Sequence, residues 1–308
     1  MIVKKSRLFF YVLIVLSLIS SLYGHLLCIS KNQAWLVEDL KSKKDIPNRF
    51  RTFTDTKASG SSQFTGSGAQ YIKKNIPAGY SITIIDLRKE PHGFLNNEPI
   101  SWYGHHNLIN AGLTPRQVEQ DQKKRLAAVG RKQSVSVCIL CKDEVNKGPT
   151  SLPCVCKNKP VHLVQSEEEL VRKNGMNYKR FYIQDGHAPN DSQVDDFIRY
   201  AKSLPKNTWL HMHCRAGIGR TTTFLVMYDI LRNCSKASLK TIIEKHALHG
   251  GINLLSKDNM NAKWKVAPLT ERIAFIQKFY TYCKQALPKG LSWSTWKKQV
   301  SSTKKNSI

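Results

Sequence analysis

At 308 residues the chain can bury a full hydrophobic core, which excludes a stapled mini-scaffold and favours one large domain or a domain with a small satellite. The formal net charge of +26 argues against cationic partners. That charge either keeps a lysine-rich surface soluble or draws in an anion. Nucleic acid, acidic membrane and polyphosphate all qualify, and charge alone does not choose among them.

The first 30 residues read as an export leader. Lys4, Lys5 and Arg7 form a positive n-region, and Leu8 to Ile19 is apolar throughout. This run has the length of an h-region and is short for a spanning helix, although it can be extended to Leu27. A cleaved signal peptide and an uncleaved membrane anchor are the two readings. Either implies export, periplasmic or secreted, with onward delivery into a host cell as a further route.

Residues 31–70 are polar and poor in periodicity. Tyr80 to Leu87 reads as a strand, β-branched and mostly apolar, so it is expected to be buried on both faces of a mixed or parallel sheet. Asp86, Arg88 and Glu90 follow at its end, where α/β enzymes put loops that serve an active site. His92, His105 and His106 read as surface or structural histidines. Thr114 caps a helix that has Pro115 in its first turn, Gln117 completing a capping box, and an end near Val129.

Residues 134–164 hold short β-like runs with turns between them. They carry Cys138-x2-Cys141 and Cys154-x-Cys156. A tetrahedral thiolate zinc site, disulfides and free thiols all remain open there, and each would be structural. Ser166 to Glu169 forms a second capping box, whose short helix runs to about Lys173 with Gly175 as its stop. Tyr178 to Ile183 reads as a strand that delivers Asp185 into a loop. Asn190 or Asp191 then caps a helix with Val194, Phe197, Ile198 and Ala201 on one face. Asp191, Asp195 and Asp196 read as solvated helix charges.

The most informative stretch is His213 to Thr221, His-Cys-Arg-Ala-Gly-Ile-Gly-Arg-Thr. A strand-like run (Thr208, Trp209, Leu210) precedes it, and Phe224, Met227, Tyr228 and Leu231 follow on one helical face. At such a junction the backbone N–H groups lack intrahelical partners and the helix dipole favours negative charge. The loop of Arg215, Ala216, Gly217, Ile218 and Gly219 can therefore cradle a phosphate. Gly217 and Gly219 permit the tight path, and Arg220 offers a planar fork to two oxygens. Cys214 sits where those amides and Arg220 favour the thiolate form. Beyond it, Leu239, Ile242, Ile243 and His246 mark another helix, Thr270 caps a last long one, and Ser301–Ile308 reads as a disordered polar tail.

Cys-x5-Arg-Thr after His is the signature of the cysteine-dependent protein-tyrosine-phosphatase superfamily. With GSSQF (Gly60–Phe64), DLRKEPHGF (Asp86–Phe94), SWYG (Ser101–Gly104) and DGHAP (Asp185–Pro189), the chain resembles the bacterial PTP-like phytases from about Arg49 to Lys298. The resemblance implies an α/β fold: a PTP-like core, with a mixed or parallel sheet flanked by helices, over residues 31–300. A small β-rich subdomain would comprise about 45–70 and 130–165. The resemblance also implies phosphate removal from phytate and lower inositol polyphosphates with no cofactor and no catalytic metal. Cys214 would be the nucleophile, Asp185 (with Pro189, as Asp-x3-Pro) the general acid, and Arg220 with the loop amides the holder of the phosphoryl oxygens. Thr221 would hydrogen-bond the departing thiolate, His213 would orient the loop, and Arg215 would add charge at the rim. The family has a phosphate-binding arginine at Arg51 and a lysine-bearing loop for which Lys257, Lys263 and Lys265 around Trp264 are candidates. It often has His directly after the Asp, where this chain has Gly186 and then His187. Trp293 and Trp296 resemble C-terminal tryptophans that dock on the core. The expected partner is an inositol polyphosphate, not nucleic acid, nor a membrane once the leader is removed. The alternative is a phosphotyrosine or phosphoinositide phosphatase. A non-catalytic anion binder is disfavoured because Cys, Arg and Asp are all present.

Overall fold

In β4 (Ser81–Asp86) side chains alternate between two cores: Ile82 and Ile84 face one, Ile85 and, just beyond the strand, Leu87 the other. A strand buried on both faces needs a layer on each side, and the computed structural model supplies them. It describes residues 34–39, 45–140, 153–257 and 263–305, and the expected leader lies outside these. Among the described residues no helix is long and apolar enough to cross a membrane.

The main sheet has five strands in the order β10 (Asn177–Arg180), β4, β11 (Thr208–His213), β3 (Ala58–Ser61) and β2 (Arg51–Phe53). All neighbours are parallel except β2 with β3. The carboxyl ends of four strands therefore share one edge, with Arg180, Asp86, His213 and Ser61 in register. On one face, α1 (Gly66–Lys74) contributes Ile72, while α3 (Glu167–Lys173) contributes Leu170 and Val171. The other face is covered by α4 (Asp191–Ser203), α5 (Gly219–Asn233), α6 (Leu239–Leu248), α7 (Lys263–Gln285) and Trp293 of α8 (Trp293–Lys305). The expected caps form: Thr114 and Ser166 make full capping boxes, and Asn190 rather than Asp191 caps α4.

A second, mixed sheet has the order β8 (Pro153–Pro160), β7 (Ser134–Leu140), β1 (Trp35–Glu38), β6 (Glu98–Tyr103), β5 (His92–Leu95) and β9 (Val164–Gln165). Leu126 and Val129 of α2 (Pro115–Gly130) pack on it. The α/β class and the β-rich satellite agree with expectation, but the satellite's composition differs. Segment 51–61 joins the main sheet instead, because Gly60 lets β3 lie against α5: a Cβ there would stand 2.8 Å from Leu225.

Cys138 and Cys156, directly opposed across β7 and β8, form a disulfide, so these two thiols are not zinc ligands. Cys141 and the side chain of Cys154 lie outside what is described. Asp191 and Asp195 remain partly exposed but also hold a neighbouring element: Asp191 accepts from the Trp293 indole at 2.8 Å, and Asp195 accepts from the Trp293 N–H at 2.8 Å. They fasten α8, which continues to Lys305 where a disordered tail was expected. Helix α7 begins seven residues before Thr270 and tolerates Pro268 in its second turn, at the loss of one hydrogen bond.

Candidate active site

The 214–218 loop lies between β11 and α5, at the shared carboxyl edge of the parallel strands. No side chain caps α5, so its first N–H groups remain available to an anion. Cys214 is buried at the loop's start, and the Thr221 hydroxyl hydrogen-bonds its sulfur at 3.1 Å. Arg51 reaches in from β2 and donates to the Gly217 carbonyl at 3.1 Å and the Thr222 hydroxyl at 3.2 Å. The guanidinium expected on substrate is thus fastened to the loop's own backbone. Burial lowers its pKa to about 10, against an opposing pull from Cys214.

Gly217 has φ of 70°, and a Cβ there would lie 2.4 Å from the Ser62 nitrogen. Gly217→Ala is therefore expected to destabilise the fold by more than the roughly 1–2 kcal/mol of left-handed backbone alone. Denaturant unfolding and initial rates should fall together. An unchanged midpoint would mean that the loop and β3 are not in close contact.

A ring of buried ion pairs surrounds the loop. Arg220 pairs with both oxygens of Glu90, Nη1 at 2.6 Å and Nη2 at 2.9 Å. Arg88 donates to Glu90 at 2.8 Å and to Asp39 at 2.7 Å, and Asp39 accepts from Arg215 at 2.7 Å. Burial opposes ionisation of Asp39, yet Arg88 and Arg215 outweigh it and hold its carboxyl at about 2. Burial likewise opposes the Glu90 charge, and Arg220 and Arg88 hold that carboxyl well below the usual range. Burial of Arg220 is more than offset by Asp185 and Glu90, so its pKa rises. Asp39 follows β1, so the satellite sheet helps to set the loop.

Next to Cys214, from His213 onward, runs a second buried chain. His213 Nε2 lies 2.6 Å from Glu167, whose other oxygen accepts from Gln63 at 2.8 Å. That oxygen also faces His92 Nε2 at 3.4 Å, and Asp86 faces the same nitrogen at 3.2 Å. His92 Nδ1 donates to the Glu90 carbonyl at 2.8 Å. A ring with a carbonyl on one nitrogen and two carboxylates on the other is stable only as imidazolium. Burial disfavours this charge, but Asp86 outweighs it and raises the pKa. Asp86, His92 and Glu167 are the one trio of potential metal ligands among the described residues, and the His92 proton supplies the positive charge between the carboxylates.

Asp185 stands above the loop, its side chain about one-third exposed, with Oδ1 3.2 Å from Arg220 and 3.0 Å from the Gly186 N–H. Gly186 has φ of 77°, a conformation that suits glycine, and His187 turns back to bond the Asp185 carbonyl at 2.8 Å. Asn107 donates to Asp185 Oδ2 at 2.7 Å. Of the candidate lysines, Lys265 lies over Trp264 at 5.0 Å, and Trp264 stacks on His106. Lys257 is exposed, and the Lys263 side chain is not described. Sequence reasoning passed over Arg272 in α7, which is buried against the loop: a Cβ on Gly219 would lie 2.7 Å from its Nη1. Burial lowers its pKa, opposed by Asp185 and Cys214.

The family model PTPlike_phytase, described as "Inositol hexakisphosphate", matches residues 85–232. The chain is similar to the PTP-like myo-inositol phosphatase from Mitsuokella multacida, solved with myo-inositol-(1,3,4,5)-tetrakisphosphate: TM-score 0.79, 30% identity, covering 87% of this chain and 48% of that one. A PTP-like phytase from Bdellovibrio bacteriovorus matches with TM-score 0.72 and 29% identity, over 87% of this chain and 95% of that one. Effector protein hopD2 of Pseudomonas syringae is 32% identical over 226 residues, 72% of this chain and 47% of that protein. The chain thus spans about half the length of the first relatives it matches. Together with the loop geometry, these matches support the PTP-like phytase family as the one this chain resembles.

Proposed function

We propose that the protein removes phosphates from inositol polyphosphates, phytate among them, through a cysteinyl-phosphate intermediate. The observation that carries this reading is the convergence on one uncapped helix start of the Cys214 sulfur, the Arg220 fork and the Asp185 carboxylate. The thiolate attacks phosphorus in line with the leaving oxygen. Loop amides and Arg220 hold the equatorial oxygens, where transition-state charge sits. As the P–O bond breaks, Asp185 protonates the leaving alkoxide, which is far more basic than a phenoxide. Water then attacks the S-bound phosphoryl group, Asp185 takes its proton, and the Thr221 hydroxyl supports the departing thiolate. His213, Arg51 and Gln63 keep the loop in register.

Substrates with several phosphates suit the cations at hand: Arg215 is partly exposed, Arg272 lies beside Gly219, and Lys265 lies over Trp264, whose ring stacks on His106. Lys257 and Lys263 are further candidates for ring phosphates. The inositol tetrakisphosphate bound by the Mitsuokella relative supports the same substrate class. Export, and action outside the producing cell, is supported by the leader and by the likeness to an effector protein.

The test is phosphate release from inositol hexakisphosphate and from a phosphotyrosine peptide, with EDTA present. Faster turnover of the inositol phosphate is expected. Faster turnover of the peptide would replace this reading with a phosphotyrosine phosphatase.

A further inference from the structure

The short helical turn His105–Asn107 follows β6 and takes part in no step described above. Its backbone is unusual: His106 and Asn107 have φ of 56° and 67° in succession. Asparagine tolerates this region and histidine does so less readily. Two contacts hold the turn. The Asn107 N–H donates to the Gly104 carbonyl at 2.9 Å, and the His106 ring stacks on Trp264 with centroids 4.1 Å apart. Strained backbone that the surroundings over-determine is commonly put to use at a functional site. Here the turn delivers one buried amide to Asp185.

That amide is half satisfied. Asn107 Nδ2 donates to Asp185, while its buried Oδ1 has no partner among the described residues. The other partners of the Asp185 carboxyl, the Gly186 N–H and Arg220, are donors only. Donors hold a carboxylate, but they cannot accept the proton of a carboxylic acid. An amide rotated by half a turn presents its oxygen and can. We infer that Asn107 positions Asp185 in both of its protonation states, through Nδ2 when it is a carboxylate and through Oδ1 when it is an acid. This inference rests on Asp185 being the acid and base of the proposed reaction. Asp185 gives its proton to the leaving oxygen as P–O breaks and S–P forms, and Nδ2 then receives the carboxylate. When water displaces sulfur, its proton returns to Asp185 and the amide turns again. Arg220 is freed from Asp185 when phosphate takes its place; Asn107 and the Gly186 N–H stay, and of these only Asn107 can accept a hydrogen bond from the acid's proton.

The test uses Asn107→Gly, which removes the side chain and keeps the left-handed backbone, alongside Asp185→Asn and the double variant. Each is assayed on inositol hexakisphosphate and on p-nitrophenyl phosphate, whose leaving group departs without a proton. Asn107→Gly is expected to lower kcat/KM, which reports the steps through P–O cleavage and not the hydrolysis step that both substrates share, about 10- to 100-fold on the inositol phosphate and less than about 3-fold on the aryl phosphate. In the Asp185→Asn background it should cost nothing further. Equal losses on both substrates, or a further loss in the double variant, would make Asn107 merely structural and overturn the inference. If the glycine variant does not fold, Asn107→Ser, which keeps a donor-acceptor oxygen, is read the same way and should fall between. An Asp185→Asn protein with no leaving-group dependence would overturn the role of Asp185 itself. A normal Asp185→Asn result beside an unchanged Asn107→Gly would overturn only the role of Asn107.

Discussion

With Cys214 replaced by Ser, phosphate release from inositol hexakisphosphate should fall at least about 10⁴-fold, the scale on which a hydrolase responds to loss of its nucleophile. Serine fits the space and keeps the Thr221 hydroxyl, 3.1 Å from the present sulfur, as a neighbour. What it lacks is activation. An alcohol is far less acidic than a thiol, so a serine nucleophile needs an adjacent base. Among the described residues the nearest candidates are held elsewhere: His213 Nε2 is engaged with Glu167 at 2.6 Å, and Asp185 is bonded by Asn107 and Gly186. Binding should survive, because the variant leaves the uncapped start of α5 and the cations around the loop in place. Arg51 on the Gly217 carbonyl, Arg220 on Glu90 and Arg272 beside Gly219 are all retained. Single-turnover phosphate release and calorimetric titration separate the two effects. Release within about 10-fold of the parent would remove Cys214 from the nucleophile's role.

The parts of this site that were legible in the sequence are those packed into a short stretch. Strand end, glycine-bearing loop, thiol, arginine and helix start lie within His213–Thr221, and each residue type there has a local physical reason. The capping boxes at Thr114 and Ser166 were legible for the same reason. Residues that long-range topology brings in were not. Asp39 sits in a polar segment without periodicity, yet it joins Arg88 to Arg215 across two sheets. Glu167 reads in the sequence only as part of a capping-box segment, but it is buried and holds His213. The signal was available in principle: three acidic residues in succession exceed what one capping box needs. Strand β3 carries only Ala, Ser and Gly, so no apolar alternation marked it. Its small side chains are what the approach of α5 demands.

These hidden residues explain why a loop rich in glycine can hold one shape. Its amides must point at one place to within a fraction of an ångström, and glycine backbone does not do that unaided. Arg51 fixes the Gly217 carbonyl, Gln63 donates its N–H to the Arg215 carbonyl at 3.1 Å, and Asp39 fixes the Arg215 side chain. Gln63 also accepts from Arg88 at 2.6 Å and donates to Glu167, so it links the ion-pair ring to the histidine chain. Each support comes from a different strand or loop, and a change at any of them should reach Cys214 through one or two contacts.

Arg220→Lys is the most demanding trial of that arrangement, and a loss in kcat of about 10³-fold is expected, at the upper end of what one transition-state donor supplies. Lysine keeps the charge but not the fork. In the present site the guanidinium meets both Glu90 oxygens, the Ile183 carbonyl at 3.2 Å and Asp185 at 3.2 Å, while its Nε has no partner among the described residues. What it can offer phosphate is therefore Nε and the Nη2 that Asp185 vacates. A single ammonium nitrogen cannot reach Glu90 and two phosphoryl oxygens together. If it stays with Glu90, the transition state loses its clamp. If it turns to phosphate, a buried carboxylate is left with Arg88 alone at 2.8 Å. Removing a partner from a buried ion pair costs roughly 3–5 kcal/mol, and the retained charge should hold the loss in stability below that. The signature is thus a large fall in kcat with a modest fall in the unfolding midpoint. Equal rates in the two proteins would show that charge alone suffices at this position, and that the two-point geometry with Glu90 serves only the fold.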